Sequence, residues 1–185
     1  MVKRLLITGY KPAELGIFDN KHAGIHYIKL AFRKRLLAFI EEGLAWCILS
    51  GQQGAELWAA EVVLELKNEY DVKLAIITPF LEQEASWKEE KQDHYRSILA
   101  QADFTTSVFN APYEGPWMFK AKNKFLLDNT DGILVLYDDE KEGSPKFILE
   151  EANKRYEKYG YYISMISSFD LQSIVEEEQE KNYDY

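Results

Sequence analysis

The stretch Leu49-Ser-Gly-Gln-Gln-Gly-Ala-Glu-Leu-Trp-Ala-Ala-Glu61 joins a short apolar run to a helical pattern through two glycines. The run that leads into it, Trp46-Cys-Ile-Leu49, has the composition of a buried parallel strand. After Glu56, apolar residues recur at the spacing of one helix face: Ala59, Val62, Val63, Leu66 and Tyr70. The stretch therefore predicts a strand, a tight turn and a helix start.

Gly51 and Gly54 fall in the turn between this strand and this helix. In Rossmann-type sheets such a turn brings the backbone close to a ligand, and the unpaired amides of the helix start favour an anion such as phosphate. The G-x-x-G spacing is shorter than the dinucleotide-binding G-x-G-x-x-G pattern, so it is not specific on its own. The alternative interpretation is that the glycines only let the helix pack closely on the sheet.

Apolar runs and helical periodicities alternate along the rest of the chain. We predict strands at 5–7, 46–49, 72–78, 105–109, 133–137 and 161–167. We predict helices at 25–39, 117–128 and 169–177, and a short helix over 81–87. Three further helices are predicted to begin at 56, at about 89 and at 145. This order predicts an α/β, Rossmann-like, doubly wound and mainly parallel sheet with helices on both faces. We expect one domain over residues 1–175 and an acidic, frayed tail over 176–185.

Composition narrows the functional classes. The net charge of −9 makes nucleic acid an unexpected partner, because phosphate neutralisation drives that binding, although Lys120, Lys122 and Lys124 leave single-stranded DNA open as an alternative. The single Cys47 builds neither a disulfide nor a cysteine-based zinc site, and His22, His26 and His94 lack metal-ligand spacing, so no metal is expected. The apolar run near the N-terminus is too short for a signal peptide or a membrane span, and we expect a cytoplasmic protein without a membrane partner.

The ligand crevice of a doubly wound sheet lies outside the carboxyl ends of its strands, where the strand order reverses. The turns after the first, second, fourth and fifth strands all carry glycine or proline and would converge there. We predict a ligand site formed by the following residues: Thr8, Gly9, Lys11, Ser50, Gly51, Gln52, Gly54, Glu56, Lys120, Lys122, Asn123, Gly143, Ser144 and Lys146. Four aromatic side chains could stack on a nucleobase, although aromatic residues at helix or loop positions more often serve packing: Trp58, Trp87, Trp117 and Tyr113.

Glu56 is the only candidate for a catalytic group. As an acid or base it would face the crevice, or it would accept hydrogen bonds from a ribose. The alternative is structural, because a carboxylate in the first turn of a helix is favoured by the helix dipole.

Several short motifs resemble one known family. They occur in order along the chain as Thr8-Gly-Tyr-Lys-Pro12, Ser50-Gly-Gln-Gln-Gly-Ala-Glu56, Ile77-Thr-Pro-Phe80, Trp87-Lys-Glu89, Gln101-Ala-Asp103, Phe119-Lys-Ala-Lys-Asn123, Asp131-Gly132 and Glu142-Gly-Ser-Pro-Lys146. The pattern resembles the YpsA-like family of bacterial proteins, in the SLOG superfamily that also holds DprA and the LOG-type phosphoribohydrolases. The resemblance implies a Rossmann-like fold, an NAD-like or ADP-ribose-like ligand near Gly54 and Glu56, and a regulatory connection with bacterial cell division.

The chain departs from the LOG enzymes at one motif. Those enzymes carry P-G-G-x-G-T-x-x-E, whereas Glu142-Gly-Ser-Pro-Lys146 lacks the glycine run and the glutamate. The leading hypothesis is therefore a protein that binds or senses a nucleotide or dinucleotide, with phosphates on the 51–54 and 143–145 turns. The alternatives are a hydrolase that cleaves an N-glycosidic or phosphate bond, and a protein-interaction module with a vestigial pocket. A homo-oligomer or a protein partner is left open.

Overall fold

Six strands alternate with six α-helices in the computed structural model, which describes residues 1–183. The strands are β1 (Arg4–Gly9), β2 (Trp46–Leu49), β3 (Lys73–Thr78), β4 (Phe104–Ser107), β5 (Gly132–Leu136) and β6 (Tyr162–Ile166). The helices are α1 (Ala23–Glu41), α2 (Ala55–Leu66), α3 (Glu89–Gln101), α4 (Trp117–Asp128), α5 (Pro145–Tyr159) and α6 (Ser168–Tyr183). A short 3-10 helix, Pro12–Leu15, follows β1.

The strands form one parallel sheet in the order β4-β3-β2-β1-β5-β6. Right-handed crossovers place α1, α2 and α3 on one face of this sheet and α4 and α5 on the other. The helix contacts agree, since α1 packs on α2 and α6, α2 packs on α3, and α4 packs on α5. The prediction of a doubly wound, Rossmann-like α/β fold with helices on both faces is confirmed.

β1 is the strand at which the order reverses. It pairs with β2 on one side, where Leu5 lies opposite Cys47, and with β5 on the other, where Thr8 lies opposite Val135. Both faces of β5 are covered, and every residue of Gly132–Leu136 is buried, as the apolar run predicted. The carboxyl ends of β1 and β5 therefore lie side by side at the topological switch point.

Gly9, the last residue of β1, allows the first turn of α2 to lie directly over these strand ends. A Cβ atom at Gly9 would come within 2.6 Å of the Ala55 Cβ and 2.8 Å of the Leu136 Cβ. A side chain of any size would therefore push α2 away from the sheet.

The segment 81–87, for which a short helix was predicted, is a loop of successive turns. Glu82 adopts a positive φ of 54°, and no other non-glycine residue among 1–183 does so. The Gln92 side chain donates to the carbonyls of Glu84 and Ala85 at 2.9 and 3.2 Å, and so replaces the helical partners of those groups. The sequence pattern could not reveal this, because the competing donor lies in the next helix.

A frayed tail was predicted over residues 176–185, but α6 continues to Tyr183 and so includes residues 176–183. Residues 184–185 lie outside the described part of the chain. Charged pairs at helical spacing support the extension, such as Lys181 with Glu178 at 3.2 Å. Glu177 also reaches Lys34 of α1 at 3.2 Å. Across residues 1–183 no helix combines the length and the apolar character needed to cross a bilayer.

Candidate functional site

A crevice of about 1050 Å³ opens at the carboxyl ends of β1 and β5 and extends between α4 and α5. It brings together many of the residues predicted from sequence: Thr8, Gly9, Lys11, Gln52, Glu56, Lys120, Lys122, Asn123 and Ser144. The remaining predicted residues do not line it: Ser50, Gly51, Gly54, Gly143 and Lys146. The position of the crevice at the switch point follows the general rule for open α/β sheets.

The turn before α2 is closed by the side chain of Glu56, a buried residue of the first turn of that helix. Glu56 Oε1 accepts hydrogen bonds from the Ser50 amide at 2.7 Å, the Ser50 hydroxyl at 2.9 Å and the Gln52 amide at 3.4 Å. Its Oε2 accepts from the Thr8 hydroxyl at 3.0 Å. Amides that could have held a phosphate are therefore engaged by a carboxylate of the chain itself.

Both glycines of the same turn are buried, and neither has room for a side chain. A Cβ on Gly54 (φ 93°) would lie 2.5 Å from the Tyr10 carbonyl and 2.8 Å from Pro12 Cδ. A Cβ on Gly51 (φ 82°) would lie 2.9 Å from both the Gln83 amide nitrogen and the Tyr95 ring. These positions favour the close-packing interpretation of the two glycines.

A second carboxylate, that of Glu14, closes the turn before α5 in the same way. Its oxygens accept from the Ser144 amide at 2.6 Å, the Ser144 hydroxyl at 2.7 Å and the Lys11 amide at 2.7 Å. Burial acts to raise the pKa of Glu14, but these hydrogen bonds outweigh it, and the pKa lies below its ordinary value. The role of Glu14 could not be predicted from sequence, since its partner Ser144 is 130 residues away. A Cβ on Gly143 would meet the Glu14 carboxylate at 2.5 Å.

Basic side chains outnumber acidic ones in the crevice, where four lysines and Arg155 face the carboxylates of Glu56, Glu150 and Glu151. Among residues 1–183, Lys11, Lys120 and Lys122 form no salt bridge, although all three line the crevice. Lys122 is half-buried, and burial lowers its pKa, while the charge of Glu56 opposes that shift. By contrast, Lys146 pairs with Glu142 at 3.2 Å, outside the crevice.

Aromatic side chains border the crevice on two helices. Trp117 at the start of α4 is 50% exposed and Phe147 near the start of α5 is 68% exposed. Phe147 and Arg155 were not among the residues predicted from sequence. Arg155 also lines the crevice, and its guanidinium group forms a salt bridge with Asp128 at 2.7 Å. A signal was present, since Phe147, Glu151 and Arg155 follow one another at intervals of four after the predicted turn and so share a helix face.

The expectation that nucleic acid is not a partner of this protein is wrong. A solved structure similar to this chain is that of DNA processing protein A from Helicobacter pylori, whose single-stranded DNA binding mode has been described. The two are 16% identical, with a TM-score of 0.48 over 96% of this chain and 81% of that one. A net charge of −9 does not by itself exclude nucleic acid, because binding depends on the local charge of a site. The likeness assigns no nucleic acid to this protein, because a match at that level carries no information about ligands.

Much closer relatives exist among curated proteins. A UPF0398 protein of Brevibacillus brevis is 54% identical over 184 residues, covering 99% of this chain and 98% of the relative. A UPF0398 protein of Bacillus thuringiensis is 53% identical over 182 residues, covering 98% of this chain and 99% of the relative. A family model described as the YspA SLOG family, YpsA, matches residues 5–171. The motifs and the Rossmann-like sheet agree with this match. The chain therefore belongs to the YpsA family of SLOG proteins.

Proposed function

We propose that this protein binds a nucleotide-type ligand in the crevice, as a binding or sensing protein. The observation that carries the proposal is the group formed by Lys11, Lys120 and Lys122, which line the crevice without a carboxylate partner among residues 1–183. The protein carries 31 acidic against 22 basic residues, so carboxylates are abundant elsewhere on its surface. A cationic site left unpaired in such a protein suits an anionic ligand.

Lys122 makes the strongest case among the three. Lys122 is half-buried and carries a lowered pKa, so its charged form is costly unless an anion lies beside it. A bound phosphate would stabilise the charged form and raise that pKa. Ligand binding at a pH near the lowered pKa should therefore be accompanied by proton uptake.

We place the ligand phosphates over these lysines rather than on the helix-start turns. Glu56 accepts hydrogen bonds from the amides of Ser50 and Gln52 at the start of the 51–54 turn, and Glu14 accepts from the Ser144 amide in the 143–145 turn. A phosphate at either turn would have to displace a carboxylate that makes several hydrogen bonds, and would be repelled by it until then.

The exposed rings of Trp117 and Phe147 supply surfaces for a nucleobase. A base stacked on an aromatic side chain gains about 1–3 kcal/mol whatever its identity. Positive charge beside exposed aromatic rings is the combination that a phosphorylated, heteroaromatic ligand requires. It fits such a ligand better than it fits a bare inorganic anion.

The hydrolase alternative depends on Glu56, the only catalytic candidate from the sequence. Both oxygens of its carboxylate already accept hydrogen bonds, from Thr8 on one side and from Ser50 and Gln52 on the other. A carboxylate held in this way is suited to positioning the ends of β1 and β2 rather than to transferring protons. We therefore favour binding over hydrolysis. The regulatory role in cell division implied by family resemblance stays an expectation, since no side chain bears on it.

The test measures binding by titration calorimetry with NAD, ADP-ribose, AMP, ATP and a short single-stranded oligonucleotide. We expect at least one nucleotide to bind, and Lys122→Met to weaken it about 10–100-fold, the value of a charge-assisted hydrogen bond. Lys158→Met is the matched control, because Lys158 is an exposed lysine of α5 that does not line the crevice. Absence of binding by every probe, or equal losses in the two variants, would refute the proposal.

The same nucleotides separate binding from catalysis. Incubated with stoichiometric protein and followed by chromatography, they should remain intact. Product formation that Glu56→Gln abolishes would instead establish the hydrolase.

A further inference from the structure

A second cavity, of about 500 Å³, adjoins the crevice at the same edge of the sheet. Gln52 and Phe119 line both cavities, so the two are neighbours that share these side chains. The second cavity lies between the loop after β3 and the loop that precedes α4, and its lining includes Phe80, Gln83, Trp87 and Tyr113. Of the fourteen residues predicted for the ligand site only Gln52 lines it, together with Trp87 and Tyr113, two aromatic side chains that the sequence offered for stacking.

The cavity is aromatic and contains exposed ring surface. Phe80, Tyr113 and Phe119 form a cluster with ring centroids 5.2 to 5.9 Å apart. Phe80 is buried in the cluster, whereas Tyr113 is 53% exposed and Phe119 36% exposed. The cluster therefore offers flat apolar surface to a ligand and is supported from behind by a packed ring.

Charge distinguishes the two cavities. The crevice is lined by several lysines, whereas no lysine or arginine lines the second cavity, and Glu82 is the one acidic residue in its lining. A phosphate is less favourable there than in the crevice, because no cationic side chain lines the cavity itself and the nearby Lys122 lies over the Phe119 ring, 6.0 Å from its centroid. The second cavity suits a neutral planar group.

Hydrogen-bonding groups are also available at this cavity. The Gln83 side-chain nitrogen donates to the Ser50 carbonyl at 2.8 Å and to the Tyr95 hydroxyl at 3.0 Å. A carbonyl can only accept, so this contact fixes the orientation of the amide. Gln83 Oε1 is then left without a hydrogen-bond partner among residues 1–183. The preceding residue, Glu82, holds the strained positive φ, a feature that clusters at ligand sites.

From these contacts we infer that the aromatic cavity is a second subsite, which takes the other heteroaromatic ring of a dinucleotide. This inference rests on the proposed function. One base lies against Trp117 and Phe147, the linking phosphates lie over the lysines, and the second base stacks on Tyr113 and Phe119. The ligand class is thereby narrowed from nucleotides in general to dinucleotides whose phosphates link two rings.

The test compares NAD with AMP in titration calorimetry. Wild-type protein should bind NAD more tightly than AMP. Tyr113→Ser should weaken NAD about tenfold and leave AMP unchanged, since it removes one stacking surface. Tyr113→Phe keeps the ring and should retain NAD affinity. Tyr159→Ser is the control, because Tyr159 is an equally exposed tyrosine (60%) that lines neither cavity.

The outcomes separate this inference from the proposed function. If NAD and AMP bind but Tyr113→Ser changes neither, or weakens both equally, the second subsite is refuted and the nucleotide crevice stands. If neither NAD nor AMP binds wild-type protein, the dinucleotide assignment is refuted, and the rest of the nucleotide panel decides the crevice. Circular dichroism of each variant excludes a loss caused by unfolding.

Discussion

Replacing Glu56 with alanine tests the structural role of the buried carboxylate. In the native protein this side chain holds Thr8 at the end of β1 and Ser50 after β2 through hydrogen bonds of 2.7 to 3.0 Å. Ser50 is itself buried, at 4% exposure, so its amide would lose its acceptor without gaining water. The change removes no large apolar group, so the loss of acceptors dominates the effect.

The expected magnitude follows from the groups left unpaired. A buried donor without a partner costs about 1–3 kcal/mol. The Ser50 amide is held rigidly, whereas the Ser50 and Thr8 hydroxyls can rotate to other acceptors. We therefore expect Glu56→Ala to lower the free energy of unfolding by about 3 kcal/mol, or about 6–12 °C in melting temperature for a chain of this size.

Urea unfolding followed by circular dichroism measures this loss, with the slope checked for an unchanged unfolded state. Glu65→Ala is the matched control, because Glu65 is an exposed glutamate of the same helix. It should change stability by less than about 0.5 kcal/mol. A Glu56→Ala variant as stable as Glu65→Ala would refute the structural role and restore Glu56 as a candidate for chemistry.

Three further outcomes are expected. Gly54→Ala should destabilise the protein by several kcal/mol more than Gly160→Ala, measured by urea unfolding. Both glycines have a positive φ, but only at Gly54 would the added Cβ clash with backbone, 2.5 Å from the Tyr10 carbonyl oxygen. Equal losses in the two variants would contradict this. The pKa of Glu14 is lowered in the folded state, so the carboxylate stabilises the protein above the ordinary carboxyl pKa, and this stabilisation is lost as the pH falls through the folded-state pKa. Glu14→Gln should therefore reduce the loss of unfolding free energy at acid pH, measured by urea unfolding at several pH values. An acid loss equal to that of the wild type would contradict this prediction. Burial raises the pKa of Cys47 to about 12, so a thiol reagent should label it only when the protein unfolds, and rapid native labelling would show otherwise.

Much of the fold could be predicted from local pattern. β2 and α4 have the predicted bounds, 46–49 and 117–128, because an apolar run and a helical periodicity each end at a clear break. The segment 81–87 was mispredicted because side chains from elsewhere, such as Gln92, determine its hydrogen bonds. Local sequence carries no record of such partners.

The candidate site was predictable in location and less so in composition. Parallel strands bring their following turns to one edge, so Thr8, Lys11 and Ser144 could be grouped from sequence alone. The engagement of both helix starts by Glu56 and Glu14 could not be predicted, because a glycine turn open to a ligand and one closed by a carboxylate have similar sequences. Whether the predicted residues contact a ligand stays a prediction.

The position of β1 also bears on how the protein is made. One edge of β1 pairs with β2, which is synthesised soon afterwards, but its other edge waits for β5, residues Gly132–Leu136. At about 5–20 residues per second, the ribosome leaves that edge of β1, with its backbone N–H and C=O groups, unpaired for roughly 6–25 s. We therefore expect nascent chains arrested before β5 to remain protease-sensitive and to recruit chaperones, and those arrested well beyond it to resist proteolysis. A strand placed at the middle of the sheet thus sets the point in translation at which folding can be completed.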